Sequence, residues 1–259
     1  MTPVVVEIPH AGLSADPLAL ATLAAPARSL AQDADLYVDE LYADAPDEGA
    51  TVLVSHVSRY VCDLNRAGDD ADSLAVEGGR ARSAPHGVIW RSTTENRPAL
   101  TAPLSRSEYE RRLDHIYRPY HAALSRLLAE RIERFGHVVL LCAHSMPSYG
   151  RDGHRDPGSR RADVVPGSRG GTSAAPTIID VPDRLARERG WSVAHDEPYR
   201  GGFSTAHYGR PGERQHAVQV ELSRRLYMDE SSLAKKPNQF QQVRMYCRDL
   251  VARLAAVEL

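Results

Sequence analysis

Cysteine is scarce. Only Cys62, Cys142 and Cys247 occur, and no Cys-x-x-Cys pair is present. Neither a cysteine-ligated zinc site nor a disulfide framework is therefore expected, and the odd, widely spaced set fits a reducing compartment. Lysine is confined to Lys235 and Lys236, and 32 basic residues against 34 acidic ones give a formal net charge of -2. No basic excess or stripe is available to neutralise a phosphate backbone, so no nucleic-acid partner is expected. No apolar run approaches the roughly 20 residues of a membrane span. The first residues enter a strand-like segment, without the basic and apolar regions of a signal peptide. These absences predict a soluble, cytoplasmic protein with no membrane partner. A Gly-x-Ser-x-Gly elbow is also missing, so Ser145 beside His144 does not read as a nucleophile.

What is present is an α/β pattern. The 259 residues, 42% of them hydrophobic, suffice for one large core, and residues 1–259 read as a single domain. Strand-like runs alternate with helix-like stretches. Strands are expected at Pro3–Ile8, at 51–55, at 59–62, at Val88–Trp90, at Val138–Cys142, at Trp191–Ala194 and at Ala217–Val220. Helices are expected at 17–31, at Ser105–Phe135, at Thr177–Arg189 and at 238–257. Ser105 with Glu108 forms a capping-box signature, Pro119 should kink the long helix, and Gly136 should end it. Segments 67–104 and 148–176 read as polar loops, with the arginines of 151–169 as solvated charges, one of which could reach an anionic substrate.

Chemistry-bearing residues collect at strand ends, where α/β folds build their sites. His10 follows the first strand and His144 the central apolar run. Catalytic zinc takes three protein ligands from His and Asp/Glu and keeps one position open. His10 and His144 are the first two candidates. Asp35 is the choice for the third, with Asp33, Asp39 and Asp63 as rivals, and Asp33 or Asp35 also suits the start of a helix. Zinc lowers the pKa of bound water to about 7 and polarises a carbonyl. Glu221, a carboxylate at the end of an apolar strand, suits a general base. The Arg66 guanidinium, oriented by Asp63, suits a substrate carboxylate. Arg200 is a second anion-binding candidate, and Gly201-Gly202 would allow backbone N–H groups to approach a ligand. Together these predict a metal-dependent hydrolase acting on a small anion.

The ordered pieces Pro9-His10-Ala11-Gly12, Asp35 to Leu41, Ser58 to Arg66, Gly87-Val-Ile-Trp90, Tyr117 to His121, His144-Ser-Met-Pro147, Pro198 to Gly202 and Gln219 to Arg224 resemble the N-formylglutamate amidohydrolases. Leu226 to Glu230 completes the resemblance, which spans nearly the whole chain. It implies a zinc-dependent exopeptidase-like (phosphorylase/hydrolase-like) fold, a mixed sheet flanked by helices. It implies cleavage of N-formyl-L-glutamate to formate and L-glutamate, a non-peptide amide hydrolysis belonging to histidine degradation. Asp63-Leu-Asn65-Arg66 is also similar to the substrate-carboxylate motif of zinc carboxypeptidases, which adds Asn65 to the substrate-binding candidates. Three departures stand out. Leu13 breaks the His-x-x-Glu of carboxypeptidases, Cys142 stands in place of an expected Asp, and Asp196 in place of a usual Asn. They leave room for another N-acyl amino acid substrate. The alternatives are a zinc carboxypeptidase, a cell-wall amidase-like hydrolase, or a non-catalytic amino-acid-binding relative.

Overall fold

The computed structural model describes residues 1–259 apart from residue 83. Its centre is a five-stranded sheet in the order β2-β1-β3-β5-β4. Strands β1 (Val4–Ile8), β2 (Thr51–Val54), β3 (Val138–Met146) and β5 (Gln215–Ser223) run parallel. Strand β4 (Val164–Gly167) closes one edge antiparallel to β5 and makes the sheet mixed. Parallel strands are covered on both faces and so read as continuous apolar runs, as Val138–Cys142 does.

Alternation along the strands divides two cores. Val4, Val6, Ile8, Val139, Leu141, Ala143, Val218, Val220 and Leu222 face one core. Helices α2 (Ala27–Asp33), α3 (Val38–Leu41), α6 (Pro176–Glu188) and α8 (Pro237–Ala255) lie along the chain around it; residues of α3, α6 and α8 pack into that core. Val5, Val138, Leu140, Cys142 and Ala217 face the other, packed by α4 (Arg106–Arg112), α5 (Arg118–Phe135) and Tyr208 of α7 (Phe203–Tyr208). Glu7, His144, Gln219 and Glu221 share the parity of that second face. The chain steps from β1 outwards to β2, then returns past β1 to β3. The crevice at the carboxyl ends of β1 and β3 is therefore a topological switch point, the usual place for a ligand in open α/β sheets.

Several expected elements differ. The 17–31 helix is two pieces, α1 (Pro17–Leu20) and α2, because Pro26 interrupts them. No strand forms at 59–62, 88–90 or 191–194; these are turns and isolated bridges such as Val164↔Val193. Their apolar residues cover the sheet instead of joining it. Strand β4, hidden in the polar 148–176 stretch, forms because β5 offers it an unpaired edge. The 67–104 reading spans residue 83, which lies outside the described residues. Ser105 Oγ accepts the Glu108 N–H at 3.2 Å, as a cap should. The Glu108 carboxylate turns to Arg111 and Arg112 instead of closing the box. The long helix is relieved by a π-turn at Leu113–Tyr117, directly ahead of Pro119, which cannot donate to the preceding turn. No helix among the described residues is long and apolar enough to cross a membrane.

Candidate active site

Three strand or strand-end positions and one turn converge. His10 follows β1, His144 lies in β3, and Glu221 sits beside His144 in register on β5. Asp35 comes from the short link between α2 and α3, fixed by its N–H donating to His10 O at 2.9 Å. His10, Asp35 and His144 are all buried and offer ligand atoms within 4.8 Å of one another. Asp35 Oδ2 stands 3.6 Å from His10 Nδ1 and 2.9 Å from His144 Nδ1.

The His10 ring is oriented by Asp63. Its Nε2 donates to Asp63 Oδ1 at 2.7 Å, while buried Nδ1 has no hydrogen-bond partner. A carboxylate behind one ring nitrogen fixes the tautomer and presents the other lone pair, as in histidines that bind cations. Asn65 Oδ1 accepts the Ser204 N–H at 3.0 Å, so its Nδ2 points to His144 Nε2 at 3.3 Å. His144 Nδ1 shares a proton with Asp35 at 2.9 Å, one that an ion held between them would displace. Two imidazoles and a carboxylate form the mixed N/O donor set that suits zinc, and an orphaned imidazole lone pair beside a buried carboxylate fits such an ion. Sequence-level rivals fall elsewhere. Asp33 ends α2 and accepts from Tyr60, Thr94 and Arg151. Asp39 lies in the first turn of α3.

Electrostatics follow from burial and partners. Burial opposes ionisation of Asp35, but the adjoining imidazoles of His10 and His144 outweigh it, holding its carboxyl well below the usual range. Asp63 is likewise held low against burial by His10, Arg59 and Arg66. Burial would lower His144, yet the hydrogen bond to Asp35 and the nearby Glu221 raise it. Burial dominates at Glu221 and raises its carboxyl, with His144 pulling the other way. Gln219 Nε2 donates to Glu221 Oε1 at 2.8 Å and orients it.

The expected anion-binding residues do not stand as the sequence suggested. Asp63 does not orient Arg66; it is filled by His10, Arg59, Trp90 and the Asn65 N–H. Arg66 turns back to the carbonyls of His86 at 2.7 Å and Asn65 at 3.0 Å. Asn65 has its whole amide engaged as a strut between β3, β5 and α7. The Gly202 N–H is already donated to Gln219 Oε1 at 2.8 Å. A Cβ at Gly202 would stand 2.3 Å from the Asn65 amide, so glycine there serves close packing. The Gly201 carbonyl accepts from Arg169, and Arg200 is exposed beside Gly170.

Other guanidinium groups reach the cluster. Arg224 NH2 donates to Asp35 Oδ1 at 3.2 Å and its Nε to Ser145 Oγ. Arg59 bonds Asp63 at 2.9 Å and stacks 4.4 Å over Trp90. Arg151, read as a solvated loop charge, is only 19% exposed and pairs with Asp33 at 2.6 Å. The signal for Arg59 and Arg224 was their spacing, four residues before Asp63 and three after Glu221. Cys142 is fully buried beside Thr205, and His144 draws its support from Asp35 and Asn65 instead. Asp196 accepts the N–H groups of Ser168 and Gly170 and braces their turn.

A mixed α/β sheet with two imidazoles, a carboxylate and a neighbouring Glu at its switch point defines an α/β protein with a candidate hydrolytic centre. The chain belongs to the N-formylglutamate amidohydrolase family, whose model matches residues 2–228. It is 35% identical to an N-formylglutamate deformylase of Pseudomonas putida over 88% of this chain and 83% of that protein. It is 32% identical to one of Pseudomonas aeruginosa over 98% and 93%. The crystal structure of an N-formylglutamate amidohydrolase from Ralstonia eutropha superposes with a TM-score of 0.88 at 32% identity, covering 98% and 93% of the two chains. A structure from Agrobacterium tumefaciens at 19% identity shares the fold, with a TM-score of 0.70 over 98% of this chain and 90% of that one.

Proposed function

We propose that the protein is a zinc-dependent amidohydrolase that cleaves N-formyl-L-glutamate to formate and L-glutamate. The observation that carries this reading is the convergence of His10, Asp35 and His144, with His10 Nδ1 unpartnered, beside Glu221. The names of relatives at 32% and 35% identity support the substrate. The zinc-exopeptidase-like classification belongs to the same proposal.

His10, Asp35 and His144 would hold the ion, and zinc when bound supplies Lewis-acid polarisation of the formyl carbonyl and a more acidic water. Glu221 accepts a proton from the attacking water and returns it to the departing amine nitrogen. Its raised carboxyl makes it a stronger base than a solvated glutamate. Gln219 aims it, and Asp63 and Asn65 set the two imidazoles. The substrate is a small anion whose carboxylates require cationic partners. Arg66 and Arg200 are the clamps of this reading, while Arg59 and Arg224, paired with Asp63 and Asp35, set the charge around the donor cluster.

The test is formate release from N-formyl-L-glutamate by purified protein, before and after chelation and after zinc is restored. Activity lost on chelation and regained with zinc is expected. Full activity in demonstrably metal-free protein would overturn the metal role, and preferential cleavage of peptides would overturn the substrate.

A further inference from the structure

Three side-chain donors stand in one row along the long helix. Tyr109 Oη donates to Gly68 O, Tyr117 Oη donates to Arg66 O at 2.9 Å, and His121 Nε2 donates to Leu64 O at 3.1 Å. The acceptors are alternate carbonyls of one segment. The intervening Asn65 carbonyl receives the Phe203 N–H at 3.2 Å. His121 Nδ1 accepts from Tyr208 Oη at 3.0 Å, which leaves the ring proton on Nε2. Burial pushes His121 down to about 4, so this neutral tautomer persists at neutral pH.

A regular α-helix would not align these three residues. At about 100° per residue, eight steps carry Tyr117 roughly 80° beyond Tyr109. The π-turn at Leu113–Tyr117 takes up one extra residue. The effective advance becomes about 700°, within roughly 20° of the starting face. Tyr117 to His121 is then an ordinary i,i+4 step. Gly68 completes the fit, since a Cβ there would stand 2.8 Å from the Tyr117 ring. The segment so held is part of the site itself: Asp63 orients His10 and Asn65 faces His144.

We propose that Tyr117 and His121, which the π-turn brings onto the face of Tyr109, position the site for reaction by holding Leu64–Gly68 and so setting Asn65 against His144 and Asp63 against His10. The inference rests on the hydrolytic reading of the site. Neither Tyr117 nor His121 touches reacting atoms; both are positioning residues.

The experiment compares Tyr117→Phe, His121→Phe, His121→Gln and Leu128→Ala. Leu128 is buried on the same helix but belongs to the core. Kinetics on N-formyl-L-glutamate are measured at a temperature where circular dichroism shows every variant folded, and zinc affinity by competition with a chelator. Tyr117→Phe and His121→Phe should each lower kcat about fivefold, the effect of one lost hydrogen bond, with KM nearly unchanged. His121→Gln, whose amide can reach the same carbonyl, should recover most of the loss. Leu128→Ala should lower the melting temperature and leave kcat alone. Wild-type kcat in the two Phe variants, equal impairment in His121→Gln, or the same loss in Leu128→Ala would overturn the proposal. If wild-type protein binds zinc but does not turn this substrate over, the proposed function fails instead. The row is then judged on zinc affinity, which the Phe variants should weaken and Leu128→Ala should not; unchanged affinity would overturn it.

Discussion

Replacing Asp63 by Asn should damage the protein twice, in stability and at the site. Asp63 is completely buried and receives four donors: His10 Nε2 at 2.7 Å and the Asn65 N–H at 2.9 Å on Oδ1, Arg59 NH2 and Trp90 Nε1 at 2.9 Å each on Oδ2. An Asn side chain offers one acceptor oxygen, so in either orientation its NH2 confronts two N–H groups. The Arg59 guanidinium, 13% exposed, also loses its carboxylate partner. Breaking one side of a buried ion pair costs about 3–5 kcal/mol. At about 2–4 °C per kcal/mol for a chain of this size, the melting temperature should fall by roughly 6–20 °C. Loss of the group that orients His10 should cost about 10- to 100-fold in zinc affinity or turnover. Thermal denaturation by circular dichroism and a zinc competition titration read the two effects separately. A shift below about 2 °C, which is under 1 kcal/mol, together with unchanged zinc affinity, would show that Asp63 supports neither Arg59 nor His10.

Glu221→Gln should retain zinc and fold normally but lose about two to four orders of magnitude in turnover, the span of general acid–base catalysis; near-normal kcat would remove Glu221 from the mechanism. Gly202→Ala should cost about 1–3 kcal/mol through overpacking and displace the Asn65 amide, 2.3 Å from the added carbon; an unaltered urea midpoint would contradict that contact. Asp163 accepts from Ser192 and Arg225, whose hydrogen bonds outweigh burial and hold its carboxyl below the usual range. A depressed folded value stabilises above the unfolded pKa near 3.9, and that contribution is lost as pH falls through the folded value. Asp163→Asn should therefore flatten the acid side of the melting-temperature profile below about pH 4, and an unchanged slope would sink the assignment.

Much of the site was legible because parallel strands are written as apolar runs. His10 and His144 follow or interrupt such runs, and a polar residue there has few places to go except the crevice at the strand ends. Glu221 stood out for the same reason. Asp35 was distinguishable from Asp33 only by folding, since both occupy a short acidic link and only one carboxylate turns towards the two imidazoles. The arginines were the least legible group. A guanidinium carries no period in the sequence, and whether Arg66 grips a ligand or its own loop depends on which carbonyls lie within reach.

The amino-acid order alone determined the alternation of strands and helices, the capped start at Ser105, and the imidazole-bearing strand ends, because these depend on local periodicity and on side chains that water or the core rejects. The tertiary structure decided which carboxylate meets the histidines, that Asp63 serves His10 instead of Arg66, that β4 joins the sheet edge, and that a π-turn aligns Tyr109, Tyr117 and His121. Those outcomes depend on distances between residues far apart in the chain, and only packing of the whole domain sets such distances.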